Sequence, residues 1–258
     1  MAKFAANLSM LFTELDFMAR FSAASDAGFD GVEYLFPYGE SAKEIKQQLD
    51  QHNLEQVLFN LPAGDWDAGE RGIAVDPNRE NEFQAGVPLA IEYAKALGCK
   101  QVNCLAGIVP NGVSEEQARS TFIRNLRFAA QALEVQGIVL VIEAINTRDI
   151  PGFFLNTTEQ ANDIIEQVGS DNLHLQYDIY HMQIMEGDLA PTIQKNLAQI
   201  AHIQLADNPG RHEPGTGEIN YTYLLNYLDD IGYQGWVGCE YKPQTTTQAG
   251  LNWLNEYR

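Results

Sequence analysis

Strand-like and helix-like patterns alternate along this chain from end to end, and that alternation restricts the fold more than any other property. Short apolar runs occupy residues 4–9, 31–36, 55–62, 101–107, 139–145, 173–180, 201–207 and 235–241. Helix-period segments follow them at 16–29, 41–53, 80–98, 114–137, 157–169, 188–200, 219–232 and 245–258. Alternating β and α units imply parallel strands, because each helix carries the chain back to the same end of the sheet. Eight such units with short helix-to-strand turns predict a closed (β/α)8 TIM barrel rather than an open doubly wound sheet. The length of 258 residues suits that barrel, so the reading is one domain over residues 1–258. Punctuation agrees: Gly98, Gly137 and Gly169 stand just past helix ends, and Ser114 with Gln117, and Thr157 with Gln160, have capping-box spacing. The loop at 63–79 is long for a structureless connection, a length typical of lids or disordered segments.

No apolar run is long enough to span a bilayer, and MAKFAANLSM lacks the apolar core and cleavage site of a signal peptide, so the expected location is the cytoplasm. Cys99, Cys104 and Cys239 form neither an even framework nor a CxxC pair, and read as small buried hydrophobes in a reducing compartment. The net charge of −19 repels nucleic-acid phosphates and anionic lipid, which argues against nucleic-acid and membrane partners. An anionic small molecule would need a local cationic site.

Four polar residues close four successive strand patterns: Glu143 in VLVIEAI, Asp178 in LHLQYD, Gln204 in AHIQLAD and Glu240 in GWVGCE. Carboxylates are costly on buried strands unless paired, hydrogen-bonded or bound to metal. Period-two alternation lets all four face the barrel axis near the C-terminal ends of the strands, where such barrels place active sites. Any one of them could instead cap the next helix or pair with a lysine. Four on consecutive strands at matching depth favour an oxygen-rich divalent-metal site.

The segments FAANLSMLFTE, LFPY, NLPAGDWDAGERGIA, IEAIN…DIPGF, IQLADNPGRHEPGTGEINY and GWVGCEYKPQTTTQAGL resemble the hydroxypyruvate isomerase family of the xylose-isomerase-like barrel superfamily. The resemblance covers essentially the whole chain. The sister 2-oxo-tetronate isomerases share ANLS, LFPY, HEP…GEINY and GCEYKP, whereas QYDIYHMQ and NLPAGDWDAGERGI fit the hydroxypyruvate form more closely. The resemblance implies metal ligands Glu143, Asp178, Gln204 and Glu240, with Glu143 and Glu240 also serving as proton donor and acceptor. Related sugar epimerases usually have His where Gln204 stands. All-oxygen coordination favours Mg²⁺ or Mn²⁺ over Zn²⁺.

The chemistry fits these residue types. Moving a carbonyl between adjacent carbons needs one proton removed and one returned through an enediolate, and two carboxyl groups can serve as base and acid. The implied reaction is hydroxypyruvate to 2-hydroxy-3-oxopropanoate, an aldose–ketose type isomerisation, with a 2-oxo-tetronate or sugar substrate as the alternative. The oxo-acid's carboxylate needs donors, for which Arg71, His181, Arg211, His212 and Lys242 are candidates; His181 stands three residues past Asp178, as in the resembling family. Glu33 reads as a structural or supporting buried carboxyl, and Asn7 and Asn103 as pocket floor or strand hydrogen bonding. An apurinic-type endonuclease on this barrel would show a basic face and more His than the five present. A plain binding protein would not need the glutamate pair. Trp253 and Tyr257 are expected to pack either the barrel or a second copy of the chain in a homo-oligomer.

Overall fold

The computed structural model describes residues 3–257; Met1, Ala2 and Arg258, at the ends of the expected domain, lie outside the described residues. The described residues form eight parallel strands: β1 (Lys3–Asn7), β2 (Gly31–Glu33), β3 (Glu55–Leu58), β4 (Gln101–Cys104), β5 (Val139–Glu143), β6 (Leu173–Asp178), β7 (Ile200–Leu205) and β8 (Trp236–Cys239). Their lateral order is β3-β2-β1-β8-β7-β6-β5-β4. The remaining seam, between β3 and β4, is closed by β4 and the residues just past the end of β3. There the Asn103 N–H donates to the Phe59 carbonyl (2.9 Å) and the Leu61 N–H to the Asn103 carbonyl (2.8 Å). The result is a TIM barrel.

Eight α-helices are formed by the described residues: α1 (Arg20–Asp26), α2 (Ala42–His52), α3 (Glu80–Leu97), α4 (Glu115–Glu134), α5 (Thr158–Val168), α6 (Ile179–Met185), α7 (Leu189–Asn196) and α8 (Tyr221–Asp230). Their buried stripes, such as Phe122, Leu126, Ala129 and Leu133 on α4, pack against the outside of the strands. Ser114 starts α4 with a complete capping box. At α5 the Thr157 hydroxyl accepts from Gln160 N–H, but the Gln160 side chain reaches one residue further back, to Asn156 N–H (2.9 Å).

Two expectations need correction. The strand pattern at 173–180 stops at Asp178, and Ile179–Met185 form α6, because the Asp178 side chain caps that helix at once. The last segment is a 3-10 helix over Gln248–Tyr257 rather than an α-helix. It turns Trp253 and Tyr257 onto Phe4 of β1, with ring centroids 5.4 and 5.9 Å apart, so these aromatics pack against the chain's own barrel.

Candidate active site

The C-terminal mouth of the barrel holds a cavity of about 80 Å³ lined in part by Glu33, Asn60, Trp66, Glu143, Gln176, His181, Gln204, Arg211 and Glu240. Three of the four strand-end residues therefore border one space. The fourth, Asp178, is buried beside it. They do not lie in one hydrogen-bonded row. Glu143 pairs in register with Gln176, whereas Asp178 pairs with Gln204 and Gln204 with Gly238. Glu240 follows the end of β8. Strand tilt, not equal depth along the ladder, brings the four together.

Asp178 does two things. Its Oδ1 accepts from the N–H groups of Tyr180 (2.7 Å) and His181 (3.3 Å), the helix cap that the sequence also allowed. Its Oδ2 is buried and finds no hydrogen-bond partner. The cap makes α6 start immediately after β6, and that first turn carries His181 back into the site. His181 Nε2 lies 3.5 Å from Asp178 Oδ2 and 3.8 Å from Glu143 Oε1. One ligand atom from each of Glu143, Asp178 and His181 falls within 4.8 Å of the others, a group able to hold a metal ion. The unpartnered Asp178 Oδ2 suits a cation, since a buried lone acceptor is otherwise costly.

The two remaining expected ligands are engaged by protein groups. Gln204 Oε1 accepts from Gln176 Nε2 (2.6 Å), which leaves that carbonyl one further lone pair. Gln204 Nε2 donates to Glu33 Oε1 (2.8 Å). Glu33 also accepts from Asn7 Nδ2 (3.0 Å), and its Oε2 lies 2.7 Å from His202 Nε2. Glu33 thus anchors the cavity floor and fixes the attitude of Gln204. Gly238 lies two strands away on β8, where an added Cβ would run into the Glu33 carboxyl group.

Arg211 supplies the cation. Its Nη2 lies 3.0 Å from Glu240 Oε2, 3.8 Å from Asp178 Oδ2 and 3.5 Å from His181 Nε2. The loop that carries it is organised by Asp207, whose carboxylate accepts from four backbone N–H groups, those of Asn208, Gly215, Gly217 and Ile219, at 2.9–3.1 Å. Arg211 itself adopts a left-handed backbone (φ 54°), uncommon for a residue with a side chain. Lys242 holds that turn by its backbone: its N–H donates to the Arg211 carbonyl (2.7 Å), and its carbonyl accepts from His212 Nδ1 (2.6 Å). The Lys242 side chain is exposed, outside the cavity, because β8 ends at Cys239 and period-two counting fails beyond it. Arg71 also turns elsewhere. Its guanidinium donates to the Trp66 and Glu70 carbonyls and stacks 4.3 Å over the Trp66 ring, so Trp66, not Arg71, borders the cavity.

The long loop is an ordered cover. Glu70 bonds the Asp65 N–H and pairs with Arg79, which also grips Glu82 through two bonds of 2.7 Å. Gly72 (φ 120°) presses against the Leu105 carbonyl so closely that a Cβ there would sit 2.6 Å from its oxygen.

Burial pushes the Glu143 carboxyl well above its usual range, and the neighbouring Glu240 and Asp178 add to this. Burial likewise raises Glu240 to about 8, although Arg211 opposes it. Asp178 is also raised by burial, against the pull of Arg211. Burial and the nearby Arg211 charge hold His181 well below the usual imidazole value, so the ring beside the two carboxyls is neutral. Burial alone would lower Arg211, but Glu240, Asp178, Glu143 and Asp149 around it raise it. The cluster therefore combines buried carboxyl groups that retain protons with one fixed positive charge, an arrangement suited to proton transfer on a small anion.

Sequence patterns did not single out Asn60, Trp66 or Asn146, and period-two alternation put Gln176 on the inward face of β6 with Asp178 without giving it a role. Asn60 and Gln176 each end or lie in a strand pattern with polar spacing, the one signal available. Asn60 Nδ2 and Gln176 Oε1 are buried without hydrogen-bond partners.

The xylose isomerase-like TIM barrel family model matches residues 21–257. The chain is 57% identical to hydroxypyruvate isomerase of Escherichia coli (strain K12), over 100% of both chains. It is 48% identical to 2-oxo-tetronate isomerase of Cupriavidus necator, covering 100% of this chain and 99% of that one. A crystal structure named AP endonuclease, family 2, from Brucella melitensis superposes with a TM-score of 0.97 at 47% identity over 100% of both chains. With full-length relatives named isomerases, the protein is an enzyme of that kind. Barrel, cavity and sequence kinship agree: the chain belongs to the xylose isomerase-like TIM barrel family.

Proposed function

We propose that this enzyme interconverts hydroxypyruvate and 2-hydroxy-3-oxopropanoate, acting as a single barrel domain in the cytoplasm. The observation that carries the reading is the pair Glu143 and Glu240, both buried on one small cavity, with Arg211 against Glu240. A cavity near 80 Å³ has room for several water molecules and so for a small oxo-acid. In the reaction Arg211 grips the substrate carboxylate. His181 donates to a substrate oxygen. One glutamate, as carboxylate, removes a proton from the hydroxyl-bearing C3. The C3–H electrons form the C2–C3 double bond of an enediolate, and the carbonyl electrons move onto O2. The other glutamate, as acid, delivers a proton to C2, while the hydroxyl proton passes from O3 to O2. HOCH2–CO–COO⁻ thereby becomes OHC–CHOH–COO⁻, with no net gain or loss of protons. The raised Glu240 and Glu143 carboxyls suit such roles, because one can remain protonated near neutrality while the other ionises.

Mg²⁺ or Mn²⁺ would be held by Glu143 and Asp178, with Gln204 and Glu240 completing the oxygen set, and when bound supplies Lewis-acid stabilisation of the charge on the substrate oxygens. A 2-oxo-tetronate substrate is the second reading, favoured by the 48% identity to the Cupriavidus enzyme. Endonuclease action, after the name of the Brucella structure, is disfavoured by the net charge of −19 and by the burial of Arg211 among carboxyl groups.

The test is hydroxypyruvate turnover by wild type, Glu143→Gln and Glu240→Gln, each after chelation and again with Mg²⁺ or Mn²⁺. The expected result is wild-type turnover with at least a 10²-fold loss in both variants. No wild-type turnover in any metal condition refutes the substrate. Turnover that survives both substitutions refutes the glutamate mechanism.

A further inference from the structure

Asn146, fully buried, follows β5 three residues after Glu143, and its amide cannot be turned round. Its Oδ1 accepts from the backbone N–H groups of Arg148 (3.0 Å) and Asp149 (2.8 Å). Its Nδ2 faces two acceptors, Asp149 Oδ2 at 3.3 Å and His181 Nδ1 at 2.6 Å. The Asn146 backbone N–H points at the same His181 nitrogen from 3.4 Å. A flipped amide would set Oδ1 against the Asp149 carboxylate and leave two backbone donors facing an NH2 group. The donors around His181 Nδ1 leave a proton on that nitrogen no acceptor to bond.

We infer that Asn146 is a positioning residue that locks His181 in the tautomer with the proton on Nε2, making His181 a hydrogen-bond donor into the cavity and not a metal ligand. This deepens the proposed isomerase reading and, for its kinetic consequence, rests on it. Nε2 faces two acceptors, Asp178 Oδ2 at 3.5 Å and Glu143 Oε1 at 3.8 Å, against one donor, Arg211 Nη2 at 3.5 Å, whereas Nδ1 faces donors alone. A metal-bound imidazole needs a bare nitrogen, so ligation through Nε2 would require the proton to move to Nδ1, against the Asn146 donors. Of the three groups close enough to share an ion, the carboxyls of Glu143 and Asp178 remain as ligands. His181 is left to polarise a substrate oxygen without adding a proton to it, which suits an oxygen that gains charge as the enediolate forms.

The experiment reads the ring nitrogens directly. ¹⁵N-histidine-labelled protein is studied by long-range ¹H–¹⁵N correlation, with the His181 signals identified by their loss in His181→Gln. In wild type, His181 Nδ1 is expected to be unprotonated and Nε2 protonated, and added Mg²⁺ alone leaves that pattern unchanged. In Asn146→Asp, a carboxylate beside Nδ1 is expected to bring a proton onto Nδ1. A protonated Nδ1 in wild type overturns the inference, and so does loss of the Nε2 proton on adding Mg²⁺. An Asn146→Asp variant that shows native amide dispersion and still has bare Nδ1 also overturns it. On hydroxypyruvate, Asn146→Asp is expected to lose about 10²- to 10³-fold in kcat with a smaller change in KM. The spectroscopic result needs no substrate, so failure of the isomerase reading leaves it intact, and failure of the tautomer assignment leaves the glutamate test intact.

Discussion

Arg211 Nη2 lies 3.0 Å from Glu240 Oε2, a contact that ties the one cation of the cavity wall to one of its two proposed proton carriers. The site thus holds its positive charge against a carboxyl group whose place a substrate carboxylate must in part take.

Removing that charge should act on binding and on protonation together. Arg211→Met is expected to raise KM for hydroxypyruvate by about 10- to 100-fold, the range for losing a charged hydrogen bond. Because Arg211 holds the Glu240 carboxyl down against burial, the variant's pH–rate profile should also move to higher pH. Steady-state kinetics between pH 5 and 10 measure both, and an unchanged KM would count against the carboxylate clamp.

The Glu240 carboxyl makes stability depend on pH. Its folded value, about 8, stands above the ordinary 4.5, so the folded protein binds more protons than the unfolded chain between those values. This contribution is fully present below pH 4.5 and is lost as pH rises through 8. In chelator, Tm should therefore fall by about 8–15 °C between pH 5 and 8.5 from this group, at 2–4 °C per kcal/mol for a domain of this size. Glu240→Gln should have a flatter slope. Equal slopes for the two proteins would refute the assignment.

Gly238 is expected to be intolerant of substitution for a reason that lies on β2. A Cβ at 238 meets the Glu33 carboxyl group, which is held from three sides by Asn7, His202 and Gln204. Gly238→Ala should cost about 1–3 kcal/mol by overpacking. In a double-mutant cycle with Glu33→Ala, the two losses should sum to less than their separate values. Denaturant unfolding measures each corner of the cycle, and strict additivity would show that the two positions do not meet.

Asn60 offers a different signature. Its Oδ1 accepts from Asn103 Nδ2 (3.1 Å), whereas its Nδ2 is buried on the cavity with no partner. Asn60→Asp keeps the acceptor and deletes the donor, and should raise KM about tenfold or more through lost hydrogen bonding and repulsion of an anion. A fall in Tm with an unchanged KM would mark Asn60 as structural only.

Much of the barrel was legible because each strand–helix unit announces itself locally, through periodicity and caps such as that at Ser114. Glu143 and Gln204 were legible as cavity residues because alternation along a strand determines which side chains face the axis, and Glu240, the first residue past β8, still falls on the cavity. The failures occur where strands stop. Lys242 was counted inward along a strand that had already ended at Cys239, and the α6 turn hid behind residues that look like more strand. The contacts of Glu33 were beyond reach for another reason. They join it to His202 and Gln204 across 169 and 171 residues, and no local pattern encodes such a pairing. Asn146 was missed because its importance lies in which atoms of its amide face which partners, a matter of orientation rather than residue type.

The weak seam between β3 and β4 has a consequence for how the molecule comes into being. β1 lies beside β2 and β8, whereas the β3–β4 seam is joined by the two backbone bonds at Phe59, Leu61 and Asn103 and by the Asn103–Asn60 side-chain bond. Within the sheet, the ladder of the first three strands therefore continues into the rest through the last strand to be made. Glu33 stands on one side of that junction, and His202 and Gln204 on the other. The enzyme is a ring fastened at its own two ends, and its polar centre is assembled by the closing of the clasp.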